Sequence, residues 1–293
     1  MQKTQTFKLK ENDAEKIYSF LLSYGEHLEN PNQYVLWQIK GKSFSAVMYK
    51  SGKLVLQVSD TELEGKVQGV LSEKVGKIEP HIGSDEVGKG DYFGPLIVCS
   101  AYISDEEMKK IKDYEVTDSK ELTDEDIFEI GGKLREELYN FVKIIKPKEY
   151  NDLNREYNNV AILLAKAHYD VASNLNEVLK KNNKEVSFVS VDQFSKSKKR
   201  LENEFVDLKL PLRQFHKGES DIAIACASII ARYEFLKEMS GMNEEYGFKF
   251  PFGATHVISS GKKFVKLFGE DQLYNVAKVS FKTTEKIRGK KGF

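Results

Sequence analysis

Cysteine and proline are scarce in this chain, with 2 and 6 residues respectively among 293. Two thiols are too few for a disulfide framework, although a single bridge between them stays open. Cys99 and Cys226 both sit among small or apolar neighbours and read as core residues of a protein kept reduced. A net charge is also missing: 45 basic side chains balance 45 acidic ones, so whole-chain electrostatics gives no attraction to a polyanion or an anionic membrane. Long hydrophobic runs are absent too. The longest, Ile222 to Ala231, is too short to span a bilayer, so no membrane partner is expected. The opening MQKTQTFKLK lacks the apolar core of a secretory signal, and a cytoplasmic, monomeric protein is the expectation.

What is present is the composition of a globular protein, 40% hydrophobic and 31% charged. The length is about twice the ~150-residue domain norm, which suits one large domain or two unequal ones. Asp13 to Tyr24 has helical spacing, and Tyr34–Lys40, Ser43–Lys50 and Lys53–Val58 read as strands joined by short turns at Gly41-Lys42 and Ser51-Gly52. An amphipathic stretch, Glu62 to Val75, ends at Gly76 and is followed by Pro80. Residues 1–76 are therefore expected to form a small α+β domain, 77–80 a linker and 81–293 a second domain.

Beyond Pro80 strands alternate with longer helical segments. Ile82–Val87 and Leu96–Ile103 are strands near enough in sequence to pair. A helix at 124–139 precedes the strand Phe141–Ile145, and a long helix carries Leu153, Tyr157, Val160, Leu164, Ala167, Val171, Leu175 and Val178 at spacings of three and four. Val186–Asp192 and Leu208–Leu212 are further strands. Ser220–Met239 is a helix with Ser220 as its N-cap and an apolar, buried first half.

Chemistry concentrates in IGSDEVGKGDYFGP, residues 82–95. Asp85 and Glu86 end an apolar strand that has little structural use for two charges, and Gly88, Gly90 and Gly94 allow close backbone approach to a ligand. The glycine spacing nearly imitates a dinucleotide-binding loop. It fails because it is one residue too long, because Asp85, Glu86 and Asp91 would repel a pyrophosphate, and because a strand follows where a helix is needed. Two further carboxylates sit at element ends, Asp192 closing VSFVSVD and Glu219 before the buried helix. Brought together, four carboxylates would repel by ~4 kcal/mol per close pair at an effective dielectric near 20. Such a cluster calls for hard divalent cations, and a pair of them suits phosphodiester hydrolysis.

With SVDQF at 190–194, KGESDIAIACASIIAR at 217–232 and AKVSFKTTEK at 277–286, the first motif makes the chain resemble the ribonuclease HIII family over essentially its whole length. The first motif alone also resembles ribonuclease HII; the FKTTEK element and the extra 80 N-terminal residues point to type III. The resemblance implies an α/β ribonuclease H-like catalytic domain, with a mixed sheet flanked by helices, behind an N-terminal domain similar to the TATA-binding-protein fold that helps hold substrate. The implied activity is endonucleolytic cleavage of the RNA strand of RNA/DNA hybrids with two Mg²⁺ or Mn²⁺ ions, leaving 3′-hydroxyl and 5′-phosphate ends. By motif position Asp85, Glu86, Asp192 and Glu219 match the family's four acidic residues, Asp85 and Asp192 as metal bridges, Glu86 and Glu219 completing the metal shells and placing the attacking water. Asp221, two residues past Glu219, is the alternative fourth member, though its place in the first helical turn gives it a structural use.

The same resemblance makes Gly88-Lys89-Gly90 the tripeptide whose backbone reads ribose 2′-hydroxyls, groups that distinguish RNA from DNA. Type II enzymes carry Arg where Lys89 stands; backbone readout survives that change, and the ammonium could reach a phosphate. Ser119 and Lys120 in TDSKEL are further phosphate-contact candidates, beside the plain reading of a turn with an exposed lysine. The basic run Lys196, Lys198, Lys199, Arg200 and the tail residues Lys282, Lys286, Arg288, Lys290 and Lys291 could touch the backbone or simply face solvent. His27, His81, His168, His216 and His256 show no paired ligand spacing and read as structural or as supports for other residues. Two other classes remain to be separated, another carboxylate-metal nuclease acting on duplex DNA and a nucleic-acid-binding protein without catalysis.

Overall fold

The computed structural model describes residues 3–9, 11–29, 32–72, 78–112, 114, 116, 122–195, 197–215 and 221–289. It divides into two compact units, Met1–Lys77 and Ile78–Phe293.

The first unit runs β1 (Lys3–Lys8), α1 (Glu11–Leu22), β2 (Gly25–Leu28), β3 (Val35–Gly41), β4 (Phe44–Tyr49), β5 (Lys53–Val58) and α2 (Thr61–Ser72). The strands form one antiparallel sheet in the order β1-β5-β4-β3-β2. Strict alternation buries Phe44, Ala46 and Met48 of β4 and Leu54, Leu56 and Val58 of β5 against Ala14, Ile17 and Leu21 of α1 and Leu63 and Val67 of α2. Two strands escape the sequence reading for a physical reason. KTQTFK has Phe7 as its only large apolar side chain, and GEHL is too short to show a period. The hairpin turns also shift: Gly41 belongs to β3, and Gly52, with φ +85°, closes the turn into β5.

The second unit contains β6 (His81–Val87), β7 (Leu96–Ile103), α3 (Asp105–Ile111), α4 (Asp124–Glu137), β8 (Asn140–Ile145), α5 (Pro147–Tyr157), α6 (Val160–Lys181), β9 (Phe188–Asp192), α7 (Lys198–Glu204), a 3₁₀ turn at Val206–Leu208, β10 (Leu212–Phe215), α8 (Ile222–Tyr246), α9 (Ile258–Phe268), α10 (Leu273–Val276) and α11 (Lys282–Ile287). Its mixed sheet has the order β10-β9-β6-β7-β8, with β6, β9 and β10 parallel and β7 antiparallel to both neighbours. Helices cover both faces. Ala223, Cys226, Ala227 and Ile230 of α8 pack with Ile97, Cys99, Ala101 and Ile103 on one side. On the other, α6 sets Leu164, Ala167 and Val171 against Leu96, Val98 and Ile145, and Ala172 and Leu175 against Ile82, Val189 and Val191.

Three sequence expectations need correction here. The long helix of the 153–178 stripe is two helices, because Asn158 turns left-handed at φ 48° and Asn159 caps α6 by accepting from the Ala161 N–H at 2.9 Å. The stripe survives the break because Tyr157 and Val160 keep a three-residue spacing across it. The strand expected at Leu208–Leu212 begins at Leu212 instead, after Lys209 at φ +56° and Pro211. Ser220 lies outside the described residues, and Asp221 is the N-cap of α8.

Asp221 accepts from the N–H groups of Ala223 and Ile224 at 3.0 and 3.1 Å, and its Oδ1 lies 3.1 Å from His81 Nε2. Burial pushes its carboxyl up, but the hydrogen bond and charge of His81, joined by the capping N–H and Ser190, outweigh it and hold the carboxyl below its usual value. Asp221→Ala is expected to cost ~2–3 kcal/mol at pH 7, a lost cap plus a stranded His81 partner. With a depressed folded value this contribution is present above the unfolded carboxylate range and fades as pH falls through the folded one. Denaturant titrations should therefore show wild type and variant converging in acid.

Candidate active site

Strand alternation separates the adjacent acidic pair. Gly83, Asp85 and Val87 point to the α8 face of the sheet, and Ile82, Ser84 and Glu86 to the α6 face. The helix sits unusually close on its side: a Cβ added to Gly83 would lie 2.2 Å from the carbonyl carbon of Ala223. Glycine there lets the start of α8 rest directly on β6 and brings Ser228 to Asp85.

Parallel pairing of β6 with β9 matches Ser84 to Val191, so the next step sets Asp85 beside Asp192 at the ends of neighbouring strands. Asp85 is pushed up to about 8, first by burial, then by the charge of Glu86 and that of Asp192. Hydrogen bonds from Ser228 and from the Glu86 N–H, the latter at 2.8 Å, oppose the shift without cancelling it. The protein has thus put a carboxyl where its ionised form lacks compensation.

Glu86 is held from the other side. Its Oε2 lies 3.2 Å from Nε2 of buried His168 on α6, and its Oε1 accepts from Lys89 Nζ at 3.3 Å. Behind the imidazole, Ser84 Oγ donates to the Cys99 carbonyl at 2.9 Å and lies 2.7 Å from His168 Nδ1. Ser84 having spent its proton on Cys99, Nδ1 is the donor in that pair. Phe194, two residues past Asp192, stacks on the ring with centroids 5.0 Å apart. The chain Cys99–Ser84–His168–Glu86 fixes one carboxylate orientation. Sequence reasoning reached His168 only as a supporting histidine. Its signal was a polar residue inside the apolar stripe of α6.

The glycine loop leaves β6 through Gly88 at φ +92°, a conformation costly for other residues, and a Cβ there would come within 2.3 Å of the Pro95 carbonyl. Gly90 is exposed. The Lys89 ammonium is turned inward, donating to Glu86 and, at 3.0 Å, to the Phe194 carbonyl, so in this structure it braces the acidic site. Glu219, Ser119 and Lys120 lie outside the described residues, as do Lys196, Lys290 and Lys291. Asp221, the alternative to Glu219, is occupied in capping α8 and binding His81.

The donor chemistry suits a hard divalent cation. Among the described residues the strand ends carry the carboxylates of Asp85, Glu86 and Asp192, those of Asp85 and Asp192 on one face, with a charge deficit expressed as the raised Asp85 carboxyl. Among the described residues no three carboxylate, imidazole or thiol groups converge closely enough to ligate one ion. Asp85 and Asp192 are therefore a partial donor set. Among the described residues no helix is long and apolar enough to cross a membrane.

Comparison with known proteins gives the family. The family model of ribonuclease HII matches residues 82–284. Ribonuclease HIII of Protochlamydia amoebophila is 32% identical, with 95% of each chain covered, and that of Lactococcus lactis 32% identical over 95% of this chain and 96% of its own. Among solved structures, Bst-RNase HIII in complex with Mn²⁺ superposes with a TM-score of 0.70 at 25% identity, covering 98% of both chains. Aquifex aeolicus RNase H3 superposes at 0.55 with 27% identity, covering 94% of this chain and 99% of that one. The β6 loop and the carboxylates Asp85, Glu86 and Asp192 all fall inside the matched span, and the chain belongs to the ribonuclease HIII family of ribonuclease H nucleases.

Proposed function

We propose that this ribonuclease H hydrolyses the RNA strand of RNA/DNA hybrids endonucleolytically, leaving 3′-hydroxyl and 5′-phosphate ends, with Asp85, Glu86, Asp192 and Glu219 as its catalytic carboxylates. The observation that carries the reading is the pairing of Asp85 with Asp192 at adjacent strand ends, with the Asp85 carboxyl at about 8. Two Mg²⁺ or Mn²⁺ ions held by these carboxylates would activate a water and stabilise the leaving oxygen. Asp85 and Asp192 share one face of the sheet and would bridge the ions. Glu86, oriented by His168 and Lys89, would complete the set from the other face of the sheet. Glu219 is the fourth member, since Asp221 already serves α8 and His81.

Substrate selection falls to the backbone of Gly88-Lys89-Gly90, whose N–H and C=O groups can pair with 2′-hydroxyls that DNA lacks. Ser119 and Lys120 would add phosphate contacts. The N-terminal unit, one antiparallel sheet with two helices, would be the TATA-binding-protein-like domain and would hold the hybrid on the sheet face away from its helices.

The test is a gel assay on labelled RNA/DNA hybrid, duplex RNA and duplex DNA, each with Mg²⁺, Mn²⁺ or chelator. Hybrid cleavage that stops in chelator is expected. Preferential cutting of duplex DNA would instead assign a different carboxylate-metal nuclease, and hybrid cleavage undiminished by chelator would defeat the metal reading.

A further inference from the structure

The closing element AKVSFKTTEK carries no carboxylate of the proposed cluster, yet it lies against the loop that leaves Gly88. Ala277 bridges to Phe93, Lys278 N–H donates to the Tyr92 carbonyl at 2.8 Å, and Gly94 N–H donates to the Val276 carbonyl at 3.0 Å. At the centre of this strap is Lys278, whose side chain is fully buried, 0% exposed. Its ammonium donates to three backbone carbonyls, Asp91 at 3.0 Å, Gly94 at 2.6 Å and Pro95 at 3.1 Å, and lies 5.6 Å from the centre of the Tyr150 ring. Three hydrogens thus meet three acceptors, all from one five-residue stretch.

Burying that charge is unfavourable. Desolvation drives Lys278 down to about 7 against the pull of the Asp91 charge, and among the described residues no carboxylate forms an ion pair with it. An apolar residue would fill such a site at less cost, but it would leave three buried carbonyls without donors. Two of these carbonyls belong to residues in contact with Gly88: the Asp91 N–H donates to the Gly88 carbonyl at 3.2 Å, and the Pro95 carbonyl is the atom that a Cβ at Gly88 would strike, 2.3 Å away. The Pro95 oxygen is therefore held between the Lys278 ammonium on one side and Gly88 on the other.

We propose that Lys278 is a positioning residue for substrate selection: by gathering the carbonyls of Asp91, Gly94 and Pro95 it fixes where the backbone of Gly88-Lys89-Gly90 stands, without itself touching substrate or metal. The proposal rests on the assignment of that tripeptide to reading the RNA strand. It explains why a lysine stands in a closed interior, and it gives the AKVSFKTTEK element a part in the reaction.

Lys278→Met removes the donors at nearly constant volume. Full-length variant and wild type are compared in two measurements. Steady-state cleavage of RNA/DNA hybrid is expected to show KM raised about tenfold or more with kcat within about threefold, the separation expected when positioning for binding is lost and chemistry is kept. Amide hydrogen exchange without substrate is expected to speed up at 88–95 while β7 keeps its protection. Lys278→Gln, whose amide retains two donors, should fall between the two and guards against a Met variant that does not fold. Unchanged KM and unchanged exchange at 88–95 in a folded variant would overturn the proposal, as would a uniform loss of stability with the exchange pattern preserved. If wild type itself failed to cut hybrid, the assignment of function would fall, whereas the exchange result would still report on the loop.

Discussion

Asp85→Asn is expected to abolish cleavage and, in the absence of metal, to make the protein more stable. Loss of one of the carboxylates proposed to hold metal should lower kcat by about a thousandfold or more, several kcal/mol of transition-state stabilisation. The stability gain follows from the site's unbalanced charge. The Asp85 carboxyl stands at about 8 in the folded chain against 3.8 for its ordinary value. The folded state therefore keeps a proton that the unfolded chain releases, and stability falls as pH rises from about 4 to about 8. Asparagine does not titrate, so the variant escapes that loss. Treating Asn as equivalent to neutral Asp, its advantage at pH 7 is at most ~4 kcal/mol, growing from nothing near pH 4. Added Mg²⁺ should raise the melting temperature of wild type, because a ligand bound only by the folded state stabilises it, and should do much less for the variant. Thermal melts at pH 5 and pH 7.5, with and without Mg²⁺, check all of this. An Asn variant that cleaved at near-normal rate, or melted with wild type in chelator at pH 7.5, would remove Asp85 from the centre of the mechanism.

The two elements of that prediction differ in how visible they were beforehand. Asp85, Glu86 and Asp192 were legible because charges at the ends of apolar strands conflict with local pattern, and such conflicts mark functional positions. The opposite facing of Asp85 and Glu86, a consequence of the two-residue strand period, was no part of that reading, which joined the pair in one cluster. What periodicity could not supply was partners distant in sequence. Ser228 sits in an apolar helix where a small polar residue looks neutral, and His168 sits 82 residues from the carboxylate that it orients. Both depend on which helix covers which face of the sheet. Lys278 was equally hidden, since a lysine in a stretch with three other basic residues by Arg288 reads as surface charge, and only the fold shows it fully buried. The direction of the Lys89 side chain was open beforehand: the sequence left its ammonium free to reach a phosphate, whereas the turn at Gly88 sends it back to Glu86 and the Phe194 carbonyl. The strands β1 and β2 were missed because edge strands with polar composition carry little apolar alternation, and both are edges of their sheet.

Removing the N-terminal unit, residues 1–77, is expected to raise KM for hybrid by about ten- to a hundredfold while leaving kcat within a few-fold. The unit has its own core, built from Ile17, Leu21, Ile39, Ala46, Leu54, Leu56 and Val67, and all four proposed carboxylates belong to the other unit, which begins at Ile78. A chain starting at Ile78 keeps that unit's own anchor there, the Ile78 N–H donating to Asp105 Oδ1 at 2.8 Å. The expectation of a binding role comes from the sheet's second face. Both helices pack on one side, and the register lines up Thr6, Val55, Val47 and Gln38 across the other, with Thr4, Gln57, Ser45 and Lys40 in the next row. Rows of hydroxyl, amide and small apolar side chains, with Lys8 and Lys53 paired alongside, can follow a nucleic-acid backbone without a large net charge. Residues 1–80 carry 11 basic and 10 acidic side chains, so attraction here would be local and salt-sensitive and would not come from the unit as a whole. A second contact region tethered to the first multiplies affinity through effective concentration and leaves the chemical step untouched, which is why KM should move and kcat should not. The loss should be largest on long hybrids and small on hybrids too short to engage both units. Equal KM for full-length and shortened chains on long hybrids would leave the N-terminal unit without a part in binding, and a matching fall in kcat would mean that it supports the catalytic geometry instead.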